Sequence, residues 1–296
     1  MNPVLLWVRS LRPYSFTASI MPVVVSSAYV RVMRGTSFLK ITVVVLSVLL
    51  MHMGVNVLND HADYVHKVDS FHSKGASLLI QKGLISEKSM FYSGHIYLFI
   101  AIILGLILSG GDLNIVLFGM ICFVFSYFYT STIFSFKYSG LGEVMVFFLL
   151  GPCVFIWTEL VLANTVSSVN LMLSVPVGLL VTNIMLGNNI RDIEVDRKGG
   201  ITTLPIFIGR KWSVRSYVFI VFLSYIIFIR SVTVFEHAYY ILLTIPFAVY
   251  NCRLVLRSAH NRSVIDYIDK KSALFHFVFC FTAIVIILLN GRGEVL

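Results

Sequence analysis

Two stretches of this chain hold carboxylates and amides at helical spacing. In "NVLNDHADYVHKVD", Asn56, Asn59, Asp60 and Asp63 stand at i, i+3, i+4 and i+7, so they share one stripe of a helix end. In "NNIRDIEVD", Asn188, Asp192 and Asp196 stand at i, i+4 and i+8, a second stripe. Oxygen donors with no His or Cys at ligand spacing suit a hard cation, Mg²⁺ before Zn²⁺ (His61 and His66 fall off the stripe). Mg²⁺ usually takes one or two carboxylates and completes its shell with water and phosphate oxygens. Two opposed clusters of this kind describe a clamp for one diphosphate. The bases mixed among the acids, Lys74, Lys82, Arg191, Arg197 and Lys198, suit charge-assisted contacts to the same anion. A diphosphate neutralised in this way is a good leaving group. If its organic part is an isoprenoid, ionisation gives an allylic cation that aromatic faces stabilise and that water must not reach.

The elements that position these stripes are built for lipid. Of 296 residues, 58% are hydrophobic and 12% charged, and the mean hydropathy is +0.89. An ordinary soluble domain, at about 25% charged, is excluded. Apolar runs long enough to cross a hydrocarbon core of roughly 30 Å recur from end to end. Nine are expected, at about 15–33, 41–58, 91–110, 114–134, 140–161, 170–190, 213–233, 237–256 and 273–290. They lack the period-two alternation of barrel strands, which leaves helices as the way to satisfy a backbone in lipid. The fold class is all-α, a polytopic transmembrane helical bundle. Each motif follows the second span of a four-helix block. That suggests one domain of two halves, about 15–134 and 140–256, with a ninth helix at 273–290.

Basic residues set the orientation. With a cytosolic N-terminus, eighteen Lys and Arg fall on inside segments and five on outside ones. Both motif loops, about 59–90 and 191–212, are then cytosolic. The net charge of +9 reflects loops facing anionic lipid, with no nucleic acid implied. No cleavable signal is read, because the first apolar run is long and follows Arg9, Arg12 and Pro13. A bacterial inner membrane is the expected location. Cys122, Cys153, Cys252 and Cys280 stand singly in or beside different spans and read as packing residues.

"NDHAD", with Asn56 ahead and Asp69 behind, resembles the N-D-x-x-D first motif of the UbiA-type intramembrane prenyltransferase superfamily. "NNIRDIEVDRKGGITTLP" resembles its D-x-x-x-D second motif in the form found in the menaquinone branch, the 1,4-dihydroxy-2-naphthoate polyprenyltransferases. "LRPYSFTASIMPVVVSSAYV" is similar to the first helix of that branch, and "YFYTSTIFSFKYSGLGEVMVFFLLGP" to its fifth-helix region. The resemblance spans roughly 10–210. It implies that Asp60, Asp63, Asp192 and Asp196 hold metal, two Mg²⁺ ions bridging one diphosphate. It assigns Asn56, Asn59, Asp69, Lys74, Tyr129, Asn188, Asn189, Arg191 and Lys198 to substrate binding. The implied partners are a prenyl diphosphate donor, an aromatic acceptor and the bilayer. The implied reaction is transfer of the prenyl chain to a dihydroxynaphthoate-like or other phenolic ring.

One segment departs from the branch. Where arginines are expected after the first motif, this chain has Ser73 and Leu78, with Ala76 in place of a proline; Lys74 supplies one charge. That opens the acceptor question. The alternatives are a terpene cyclase of the same fold, acting on prenyl diphosphate alone, and a cation-coupled secondary transporter. Against the transporter, the acids lie at the span ends and not at the midplane. No general base is evident in the sequence; Glu143, at the start of the fifth span, reads as a solvated helix-start acid.

Overall fold

A computed structural model describes residues 3–68, 77–233, 236–258 and 265–290. Every regular element among them is helical. Among the described residues eight helices are long and apolar enough to cross a membrane, and a bent pair near the N-terminus, taken as one span, makes a ninth. The chain is an all-α polytopic membrane protein.

In chain order the main helices are α1 (Pro3–Leu11), α2 (Thr17–Arg34), α3 (Phe38–Val65), α4 (Glu87–Ser109) and α5 (Leu113–Thr130). Next come α6 (Gly142–Phe148), α7 (Val154–Ala163), α8 (Ser168–Lys198) and α9 (Leu204–Ile208). The last are α10 (Arg210–Ser231), α11 (Ile245–Arg257) and α12 (Ile268–Asn290). Helix α1 was not foreseen from the sequence. It joins α2 at a 54° bend, where Arg12 takes a left-handed backbone (φ +53°) just before Pro13. A following proline steers its neighbour away from the right-handed helix, and that breaks the span here.

Helices α3 and α8 run past the apolar spans expected to end at 58 and 190, as the spacing of the stripes requires. At 28 and 31 residues and about 1.5 Å per residue, they are longer than the roughly 30 Å hydrocarbon core. Their polar last turns keep helical hydrogen bonding, so the stripes Asn56–Asp63 and Asn188–Asp196 lie on helices that outlast their apolar runs. The fifth span is α6 and α7 joined by a π-turn, Leu149–Cys153, that contains Pro152. Proline has no N–H to give, and a widened turn accommodates the gap.

Small residues let the backbones close. A Cβ on Gly151 would lie 3.0 Å from the Cα of Gly178, and one on Gly178 2.9 Å from the Cα of Gly151, which brings the π-turn against α8. Gly54 and Gly94 do the same for α3 and α4, where an added Cβ meets Leu98 at 2.7 Å and Leu58 at 2.6 Å. The main core gathers Leu173, Val177, Leu180, Leu186 and Ile190 of α8 around Phe155, Tyr217, Phe228 and Phe279. A smaller cluster of Leu6, Val57, Leu79, Ile80, Ile85 and Met90 packs α1 and the turn after the first motif onto the end of α3. Large apolar side chains left outside, such as Phe99, Ile107, Phe219, Phe222 and Phe281, face the lipid.

Candidate active site

A single cavity of about 360 Å³ receives both stripes. Asn56, Asn59 and Asp63 of α3 and Asn188, Asn189, Arg191, Asp192 and Asp196 of α8 line its polar end. Its apolar arm runs among α3, α4, α5 and the π-turn, past Val48, Ile102, Leu106, Ile115, Phe123, Leu150 and Trp157. Tyr14 and Tyr129 also stand on the wall.

The first stripe is held from outside its own helix. Lys137 Nζ lies 2.7 and 2.8 Å from the two carboxylate oxygens of Asp63, and also donates to Asn59 Oδ1 at 2.8 Å. Tyr138 donates its hydroxyl to Asp63 at 2.5 Å, and Asn59 Nδ2 donates to Asp63 at 3.0 Å. Thr130 completes Asn59, donating to Oδ1 at 3.1 Å. Asp60 is turned off the cavity wall and ion-paired with Arg12 from the α1–α2 bend. It stands at the flank of the stripe, and its side chain is only 4% exposed.

The second stripe is more open. Arg191 grips Asp192 with two parallel bonds, Nε to Oδ1 at 2.9 Å and Nη2 to Oδ2 at 2.7 Å. The same guanidinium reaches Asp269 at the start of α12 at 3.3 Å. Asn189 donates to Glu143 at 2.8 Å. Glu143 was expected to be solvated; it is 3% exposed and lies off the cavity wall, because α6 packs directly on α8. Asn188 Oδ1 is buried on the wall with no hydrogen-bond partner. Tyr129 donates to Met185 Sδ at 3.0 Å. Lys198 is exposed, outside the wall.

A loop joins the two ends. Thr202 N donates to Tyr138 O at 3.1 Å, linking the segment that carries Lys137 to the one following the second stripe. Asp69, Ser73, Lys74 and Ala76 lie outside the described residues. Leu78 is buried in a left-handed turn (φ +55°) and is not on the wall. Cys122 and Cys153, expected to be packing residues, lie on the wall of the arm.

Sequence reading did not single out Arg12, His52, Lys137, Tyr138 or Asp269 as site residues. Lys137 carried one signal: it is the only Lys or Arg between Lys88 and Arg191.

The model of the UbiA prenyltransferase family matches residues 19–278. The chain is 31% identical over 254 residues to the UbiA prenyltransferase domain-containing protein 1 of Gallus gallus, covering 82% of this chain and 74% of that one. It is 28% identical over 211 residues to the 1,4-dihydroxy-2-naphthoate octaprenyltransferase of Bacillus subtilis (strain 168), covering 71% and 68%. Among solved structures, a UbiA homologue from Archaeoglobus fulgidus bound to GPP and Mg²⁺ superposes with a TM-score of 0.68 at 16% identity. That match covers 95% of this chain and 99% of the other, and it shows a shared fold.

Proposed function

The chain belongs to the UbiA prenyltransferase family, and we propose that it transfers a prenyl chain from a prenyl diphosphate to a phenolic or dihydroxynaphthoate-like ring. One observation carries this reading: carboxylates from two helices meet at the polar end of a cavity whose remainder is apolar and aromatic. The diphosphate takes the polar end and the isoprenoid takes the arm, where Phe123 and Trp157 offer faces to an allylic cation.

Mg²⁺ fits the donors present. Among the described residues no three His, Cys, Asp or Glu gather to hold a metal alone. Each stripe instead offers one or two carboxylates, with the unpartnered Asn188 Oδ1 beside the second. That is the donor set of an ion that keeps water and phosphate oxygens in its shell. Asp63, Asp192 and Asp196 line the cavity and would hold it; Asp60 would act from the flank, through Arg12. When bound, the metal neutralises the charge that develops on the leaving diphosphate. Arg191 and Lys137 stand ready to share that charge, and the lipid-embedded arm keeps water from the cation.

We also propose that the motif ends of α3 and α8 face the cytosol, on the strength of the basic-residue bias. Relatives occur in vertebrates and bacteria alike, so the reading is of an integral membrane enzyme and is not tied to a bacterial inner membrane. The test is to incubate membranes with labelled geranyl and longer prenyl diphosphates, 1,4-dihydroxy-2-naphthoate and other phenols, and to identify products by mass. A prenylated ring formed only with Mg²⁺ is expected. A cyclised hydrocarbon formed from the diphosphate alone would replace this reading with the cyclase.

A further inference from the structure

A phenolic ring attacks an allylic cation faster as its phenolate, so a group that receives the hydroxyl proton speeds the transfer, and neither stripe offers one unengaged. Asp60, Asp63 and Asp192 are all paired with cations. Asp196 belongs to the stripe read as metal-binding, and Glu143 faces Asn189 off the wall. His52 is different. It sits one helical turn before Asn56 on α3 and lines the same cavity, and no other histidine does so among the described residues.

Its hydrogen bonds suit one tautomer. Ser15 Oγ, also on the wall, donates to the carbonyl of Arg12 at 2.8 Å and accepts from Asn56 Nδ2 at 3.2 Å. His52 Nε2 lies 2.9 Å from the same oxygen. A hydroxyl has one hydrogen and two lone pairs. With the hydrogen placed on the Arg12 carbonyl and one lone pair on Asn56, Nε2 is the donor in the tautomer we assign. The ring's lone pair is then on Nδ1. Phe16 stands edge-on to the ring, centroids 5.9 Å apart at 90°, and restricts its rotation.

We propose that His52 is the general base for the aromatic acceptor, with Ser15 and Asn56 as positioning residues. The inference rests on the function proposed above. The acceptor hydroxyl gives its proton to Nδ1, and the O–H bonding pair stays on oxygen and conjugates into the ring. The ortho carbon forms a bond to C1 of the prenyl group as the C1–O bond breaks, and that pair leaves with the diphosphate. The ring then regains aromaticity by losing its ortho hydrogen as a proton to the released diphosphate, or CO₂ where a carboxylate stood there. Nδ1 returns its proton to the oxygen. The positions suit the sequence of events, since four residues of helix place His52 about 6 Å along the axis from Asn56 at the diphosphate end.

The experiment measures transfer across acceptors of graded hydroxyl acidity, for the purified full-length enzyme and for His52→Gln. General bases contribute about 10²-fold or more. The variant should lose about that much kcat on weakly acidic phenols and regain most of it on acidic ones, with its KM for prenyl diphosphate within about threefold of the parent. An equal loss across the series would mean a packing role, and no loss would mean no role; either overturns the assignment. If His52→Gln is not recovered monodisperse, Ser15→Ala decides on the same series. A steeper dependence on acceptor acidity than the parent's is expected, and an unchanged slope overturns the inference. Failure of the parent itself to prenylate any aromatic acceptor would sink the proposed function, and His52's role with it. Activity in the parent with an unchanged slope in the variants sinks His52 alone.

Discussion

At the end of α3, Asp63 is held by Lys137 and Tyr138, which lie 74 and 75 residues further along the chain. At the end of α8, Asp192 is held by Arg191, its immediate neighbour. The first carboxylate is 4% exposed and the second 21%. One stripe therefore exists as a site only once the whole bundle has folded, while the other carries its counter-charge within its own helical turn. The same Asp→Asn change thus reports different things at the two ends. At Asp63 it also breaks a buried ion pair, which costs stability. At Asp192 the carboxylate is more exposed and the buried Arg191 keeps Asp269 as a second partner, so the change reads the chemistry with less interference from folding.

The largest effect should come from Asp192→Asn. Turnover of prenyl diphosphate should fall about 10²-fold or more, with the melting temperature in detergent lowered less than by Asp63→Asn, and chelation should abolish parent activity until Mg²⁺ is restored. Near-normal turnover would remove α8 from the clamp. Next is Lys137→Met, which leaves Asp63 buried and unpaired. A loss of about 3 kcal/mol is expected, read as a lowered unfolding midpoint, and Asp63→Asn in the same chain should recover part of it. Equal stability with and without Lys137 would make the first stripe as self-contained as the second and erase the contrast. Gly178→Ala, whose new methyl would lie 2.9 Å from Gly151 Cα and 3.1 Å from Phe147 O, should cost about 1–3 kcal/mol. It should lower thermal stability without altering the metal requirement. Lys198→Ala should do least, because the side chain is exposed and off the wall. Turnover within about twofold is expected for a surface change of this kind, and a larger fall would bring the tip of α8 over the diphosphate.

The contrast also explains what could be read from the sequence. Spans and stripes were legible because hydropathy and the 3.6-residue period act locally. The apolar spans end at 58 and 190, but the helical spacing of the stripes already carried α3 and α8 further, and helical hydrogen bonding does continue through Asp63 and Asp196. Asp192 and its partner were both within one motif. The partners of the first stripe were not, because Arg12 and Lys137 reach it through tertiary packing. Glu143 was read as solvated for the same reason: nothing near it in sequence shows that α8 covers it. His52 lies inside an apolar run, where a single imidazole has no spacing partner, and only the Ser15–Asn56 contacts give it a role.

The central claim is that both stripes grip one diphosphate. A double-mutant cycle tests it most directly: prenyl diphosphate turnover in the parent, Asp63→Asn, Asp192→Asn and the combined protein, each shown to be monodisperse. Groups that act as a unit are strongly non-additive, so the combined change should cost little more than the worse single one. Losses that multiply, each stripe adding its own full factor, would mean two independent sites and would contradict the shared clamp.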